Sequence, residues 1–369
     1  TRYMPTIVNP FNFETPADRW SFTDREDLLP RVLKVLTRPK QRALVYGRRR
    51  VGKTSLIKHA AVTSKQPFAF VDLSTANDLN EVARKLLGSF PVNENLGTKL
   101  MRLLRRYVER ISLTGGHFSL GGDLRAPAQK TLEQVLAFLD DYAATSDQCL
   151  TVCMDEFQDL RRLGGDRAEW NLRGTIQHHE QLSFVFSGSD HRLIQWMTEP
   201  NSAFFKQLEL IEVGPIDAAL LTNWIDSRSR KGGLPGSSFG AAVVEVAGPC
   251  TGDIVRLAKQ AFDFVATGRK GDAARMALDT IALEYLTPEF GTIWRPLPPS
   301  QRLLLRAIAN GQPRFAKATL DMYGLTSGTV RTAQIALFDK QILTMEGEQV
   351  VFDSPFFRRW VQATGEPTA

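Results

Sequence analysis

The chain is poor in cysteine and lacks any long apolar run. Cys149, Cys153 and Cys250 are its three cysteines, set in apolar or turn contexts without the spacing of a metal site. That argues against a disulfide-stapled or zinc-bound fold, and a reduced, cytoplasmic setting is expected. No stretch approaches the ~20 apolar residues of a membrane helix, so no membrane partner is expected. The opening Thr1-Arg2-Tyr3-Met4-Pro5 has no apolar segment behind a basic start, and no signal peptide is expected from it. Internal repeats and low-complexity tracts are missing too. Charge of one sign barely dominates: 46 Lys and Arg against 40 Asp and Glu leave a net +6. Such an excess is compatible with a nucleic-acid partner but does not require one.

What is present reads as globular. The chain is 43% hydrophobic and 23% charged, close to ordinary domain averages. At 369 residues it exceeds one small core, so two or three domains are expected. Short β-rich runs at 43–46, 68–71, 150–154, 182–186 and 208–213 alternate with longer helical patterns. Continuous apolar strands with room for crossover helices indicate a mostly parallel α/β sheet. A basic amphipathic helix is expected over 99–110, with Arg102, Arg105, Arg106 and Arg110 opposite a leucine stripe, and a glycine-rich hairpin over 111–124. Helical patterns follow over 215–230 and 239–266, and the proline-rich 295–299 reads as a linker.

The most specific motif is Gly47-Arg48-Arg49-Arg50-Val51-Gly52-Lys53-Thr54, which lies between an apolar strand and a helical run. This is a full P-loop in its required context. Chance would supply the bare pattern about once in a hundred chains of this length. Glycines let the backbone N–H groups turn toward phosphates, and the first helical turn adds its positive end. Lys53 is expected to neutralise the β- and γ-phosphates of ATP, and the Thr54 hydroxyl to hold Mg²⁺. Ser55 follows in the same turn and completes the nucleotide-binding stretch. Arg48, Arg49 and Arg50 approach the nucleotide or a neighbouring subunit, or simply face solvent.

Leu150–Met154 runs into Asp155-Glu156, two acids at the end of a buried strand. A carboxylate there needs a cation. Asp155 is expected to orient Mg²⁺ and Glu156 to polarise the attacking water as general base. Ser187 ends the next strand, where its hydroxyl reaches the γ-phosphate or the water, or serves ordinary turn chemistry.

With these residues in place, the chain resembles the archaeal-type ATPase family, a P-loop group within the AAA+/STAND assemblage. Asn9-Pro10-Phe11 with Phe22-Thr23-Asp24-Arg25-Glu26 is similar to the family's opening box near the adenine, Asp24 standing where a glycine is usual. By that resemblance Arg25 belongs with the nucleotide-binding residues. Ser187-Gly188-Ser189 resembles the sensor-1 segment. Lys206-Gln207 stands where the family often has a Gly-Arg pair, so no arginine finger is placed there. Gly252-Asp253-Ile254-Val255-Arg256 is similar to a sensor-2 helix start, which makes Arg256 a candidate γ-phosphate contact or else a solvated surface residue.

The resemblance implies an ATPase core over 1–214, a helical lid over 215–295 and a winged helix over 296–369. Helical patterns over 301–309, 316–323 and 326–340, then a hairpin over 342–352 with Glu346-Gly347-Glu348 at its tip, agree with that last unit. Its third helix carries Arg331, Gln334 and Lys340 but also Asp339, less basic than is usual for a DNA-reading face. The expected function is a slow ATPase switch, binding ATP and ADP, whose output is double-stranded DNA binding. The alternative output is an ATP-dependent signalling or scaffold module that oligomerises or binds a protein partner.

Overall fold

A computed structural model describes residues 7–13, 24–89, 128–146, 148–189, 193 and 197–364. The helix expected over 99–110 and the hairpin expected over 111–124 lie outside these residues, as do Phe22 and Thr23. The chain divides into two compact units, Thr15–Gly214 and Thr1–Glu14 with Pro215–Ala369. Among the described residues, no helix is long and apolar enough to cross a membrane.

The first unit is a parallel sheet of five strands, β1 (Arg42–Tyr46), β2 (Phe68–Asp72), β3 (Leu150–Asp155), β4 (Leu182–Gly188) and β5 (Glu209–Glu212), in the order β2-β3-β4-β1-β5. Strand β4, which ends in Ser187-Gly188, therefore lies between the P-loop strand and the acidic strand. Every residue of β3 and β4 is buried, as strands covered on both faces require. Alternation sorts their side chains. Ala43, Val45, Cys153 and Val185 pack with α1 (Leu29–Leu36) and α2 (Lys53–Ser64) on one face. Leu44, Val152, Met154, Phe184 and Phe186 pack on the other with α3 (Leu79–Ser89) and α4 (Ala128–Ser146). Two short helices, α5 (Leu160–Gly164) and α6 (Ala168–Ile176), follow β3.

The second unit begins with α7 (Ala218–Lys231), capped by the Asp217 carboxylate. The single helical pattern expected over 239–266 is broken in two, α8 (Gly240–Ala247) and α9 (Thr251–Ala266). Gly248 takes a φ of 70°, and Pro249 after it has no N–H to continue the ladder. Then come α10 (Ala273–Asp279), a π-helical turn (Thr280–Tyr285) and α11 (Thr287–Trp294). The stretch read as a linker is short: Leu297 within it sits in the core while Arg295, Pro296 and Pro298 are exposed, and α12 (Pro299–Ala309) starts two residues after Leu297.

α13 (Lys317–Tyr323) and α14 (Ser327–Asp339) follow, the latter capped by Thr326, whose hydroxyl accepts from Thr329 N. The antiparallel pair β6 (Leu343–Glu346) and β7 (Gln349–Phe352) turns at Gly347, φ 58°. Three helices and a hairpin follow one another in the order expected of a winged helix, and α15 (Pro355–Thr364) comes last. One hydrophobic core runs through this unit, joining Ile254, Phe262, Ile281 and Phe290 to Leu304, Val330, Phe356 and Trp360.

Candidate functional site: the carboxyl edge of the sheet

Parallel strands bring their carboxyl ends to one edge, and the switch point of the strand order opens a crevice there. The registers fix what meets in it. Val45 is level with Ser187 and Tyr46 with Gly188, so the loop after β1 starts beside the end of β4. Met154 is level with Phe186, which sets Asp155 beside Ser187 one residue on. Period-two alternation places Asp155 and Ser187 on the same face as Cys153 and Val185. That is the face covered by α2.

The loop has the shape its glycines demand. Gly47 has a φ of 151°, and a Cβ on it would lie 2.3 Å from the Val213 carbonyl oxygen. Arg50 and Gly52 also have positive φ, 61° and 100°, and α2 begins at Lys53. Alternating backbone handedness of this kind turns successive N–H groups toward a common centre, an anion-binding concavity. Buried Lys53 extends its ammonium across that concavity, donating to the carbonyls of Gly47 and Arg48 at 3.0 Å each. Val51 is buried, whereas Arg49 and Arg50 are exposed. The buried Arg25 guanidinium donates to the carbonyls of Val51 (3.1 Å) and Gly214 (2.9 Å), so it braces the loop from behind. Burial lowers its pKa, with Asp24 and Asp27 opposing. The structure thus places the Arg25 guanidinium on the backbone carbonyls of the loop and of Gly214. Asn9, read in the same box, belongs to the second unit and donates within it to Lys259 O and Asp263 Oδ1.

Asp155 is buried and held by three donors. Thr54 Oγ1 donates to its Oδ2 at 2.7 Å, Ser187 Oγ to its Oδ1, and Glu156 N to the same Oδ1 at 3.1 Å. The Ser187 hydroxyl, expected either at the phosphate or the water or in ordinary strand-end chemistry, donates to this carboxylate in the structure. The Thr54 hydroxyl and a carboxylate oxygen thus lie side by side, oxygens of the kind a hard divalent cation takes as part of its shell. Next to it, Cys153 is fully buried; burial pushes its thiol pKa well up, and the Asp155 charge adds to the effect.

Glu156 has a left-handed backbone, φ 51°, rare for a residue with a side chain and frequent at functional sites. Its Oε2 accepts from Gln158 Nε2 and, at 3.4 Å, from Ser189 Oγ. Gln158 is a partner that its place in the sequence does not announce. A Cβ on Gly188 would lie 2.6 Å from Gln158 Oε1, so the glycine makes room for that amide. In the second unit, the Arg256 guanidinium lies over the rings of Phe13 (5.1 Å) and Phe356 (5.5 Å).

A P-loop, an acidic strand end and a parallel sheet in the order 2-3-4-1-5 together have the fold of the AAA+ P-loop ATPases. Among solved structures, the chain is similar to a Walker-type ATPase of Pyrococcus abyssi, at 17% identity and TM-score 0.69, over 96% of this chain and 99% of that one. It is also similar to the Aeropyrum pernix ORC2 protein in ADPNP–ADP complexes, at 16% identity and TM-score 0.58, over 95% and 97% of the chains. The Aeropyrum pernix ORC1 protein in complex with DNA matches at 15% identity and TM-score 0.50, over 98% and 94%. No family model matches the sequence, and no curated relative matches it. At the level of fold, these neighbours bear out the archaeal ATPase resemblance.

Proposed function

We propose that the chain is an ATP-binding, ATP-hydrolysing switch whose nucleotide state governs DNA binding by its C-terminal module. The observation that carries the ATPase reading is the meeting of Lys53, Thr54 and Asp155 at one sheet edge, with Glu156 beside them. Lys53 and the loop N–H groups would hold the β- and γ-phosphates, and Thr54 and Asp155 would hold Mg²⁺, which offsets charge on the phosphates when bound. Ser187 fixes the Asp155 rotamer rather than touching the reacting atoms.

Glu156 is the general base, taking a proton from the attacking water. Its carboxylate already accepts from Gln158 and must turn toward that water, so turnover is expected to be slow. A γ-phosphate contact from Arg256 requires its guanidinium to leave the Phe13 and Phe356 rings. Arg256→Ala tests it, since loss of hydrolysis without loss of ATP binding is the expected signature.

The DNA output draws support from the helix–helix–helix–hairpin order and from an ORC neighbour whose structure is a DNA complex. A second reading, a protein partner or self-assembly, is favoured by one observation. Around α14 the surface offers Met322 and Ile335, 68% and 60% exposed, with Glu346 and Glu348 at the hairpin tip. The test is ATPase rate and mobility shift with ATP, ADP or no nucleotide, with duplex DNA across a salt series. DNA binding that changes with nucleotide and weakens steeply with salt supports the first reading. No shift at low salt, with assembly that depends on ATP, supports the second.

A further inference from the structure

Charge in the C-terminal module is segregated along the chain. Between Glu289 and Asp321 there are five cations, Arg295, Arg302, Arg306, Arg314 and Lys317, and no acid. From Asp321 to Asp353, which spans α14 and the hairpin, there are five acids and two cations. The helix that the winged-helix order would send into a major groove therefore lies in the acidic half. A duplex laid on α14 would bring phosphates toward Asp339 and the Glu346–Glu348 turn, at an electrostatic cost.

The basic half is organised. Arg302 and Arg306 are one turn apart on α12 and share a face. Both guanidiniums lie over the Trp294 ring, 5.8 and 5.7 Å from its centroid. Arg302 Nη2 donates to the Arg295 carbonyl at 2.6 Å, which brings the exposed Arg295 alongside. Arg314 lies over Phe315 at 5.3 Å, and Arg358 donates to the Ala309 carbonyl at the end of α12. None of the five cations forms an ion pair among the described residues. The Nε atoms of Arg302, Arg306 and Arg314 are buried without a hydrogen-bond partner, while the three side chains as a whole are only partly buried, so a ligand would be met by their Nη ends. Guanidiniums held over aromatic rings, uncompensated by any carboxylate among the described residues, are set in advance for phosphate oxygens.

We infer that the module meets the phosphate backbone of duplex DNA through the α12 face around Trp294, and not through α14. This rests on the DNA reading above and replaces its docking element. Phosphate contacts carry affinity without sequence, so this face anchors the protein on any duplex. The exposed apolar residues near α14 are left for a protein.

The test is fluorescence anisotropy of the full chain, with ATP, on a random-sequence duplex at about 50 to 200 mM salt. Three variants are compared with wild type: Arg295→Glu, the double Arg302→Gln/Arg306→Gln, whose stems still cover Trp294, and Arg331→Glu on α14. Arg295→Glu and the double variant should each bind about tenfold or more weakly, and the slope of log affinity on log salt should fall by about one for each phosphate no longer neutralised. Arg331→Glu should change affinity less than about twofold. Arg295 is exposed, so its result does not depend on refolding of the Trp294 packing. If Arg331→Glu alone weakens binding, DNA is the ligand and the α12 face is wrong. Wild-type strength in every variant likewise overturns it. No binding by wild type at the lowest salt removes the DNA reading and this inference together. Equal wild-type affinity for polyglutamate of matched charge would assign the face to an acidic protein.

Discussion

Asp155 shows how much of the site rests on single side chains. Its carboxylate is buried at the end of a strand, a costly place for a charge unless donors surround it. Thr54, Ser187 and the Glu156 amide supply them, so the acid is held in place for the Mg²⁺ role proposed above. Ser187→Ala removes one donor from a buried oxygen, a loss of about 1–3 kcal/mol. We expect the Mg²⁺ concentration for half-maximal ATP turnover to rise about fivefold or more, with ATP-analogue binding at saturating Mg²⁺ nearly unchanged. A magnesium titration of the rate checks this, and an unchanged titration would give Ser187 a purely structural role. Glu156→Gln keeps the shape of the side chain and removes the base. Turnover should fall by at least ~100-fold while ATP binding persists. Single-turnover kinetics separate the two, and a wild-type rate would mean that another group activates the water.

At the scale of elements, the strands were legible because parallel strands buried on both faces have to be continuous apolar runs. The P-loop was legible because its glycines answer to local backbone geometry. Gly47 illustrates the link. Any side chain there would run into the Val213 carbonyl, so Gly47→Ala should deform the turn between β1 and α2. We expect nucleotide binding to be lost and the thermal midpoint to fall by several degrees, about 1–3 kcal/mol of overpacking; calorimetry with and without ATP checks both.

What the sequence did not disclose depends on distant segments meeting. The Arg25 brace needs the loop and Gly214 side by side, and the Ser187 bond to Asp155 needs the β3–β4 register. Gln158 reaches Glu156 only because the chain turns left-handed at Glu156. The break at Gly248-Pro249 was visible as residues but outvoted by helical periodicity on both sides.

The whole molecule does not divide where composition suggested a linker. Lid-side Ile281 and Phe290 and module-side Leu304, Phe356 and Trp360 belong to one core. Removing 296–369 would therefore strip a face from the rest of its unit and expose apolar surface. The truncated protein is expected to aggregate or lose helicity in the second unit, as read by size-exclusion chromatography and circular dichroism. A monodisperse, fully helical fragment would show that the core is separable after all. The proposed nucleotide site, by contrast, draws its residues from Thr15–Gly214.

The assignment of that site has a direct measurement: equilibrium binding of a fluorescent ATP analogue with Mg²⁺ to wild type and to Lys53→Ala. Lys53 is the buried ammonium spanning the loop, so wild type should bind saturably and Lys53→Ala should not, with matching circular dichroism spectra. Equal affinity in a folded Lys53→Ala protein would contradict the assignment of this loop as the ATP site.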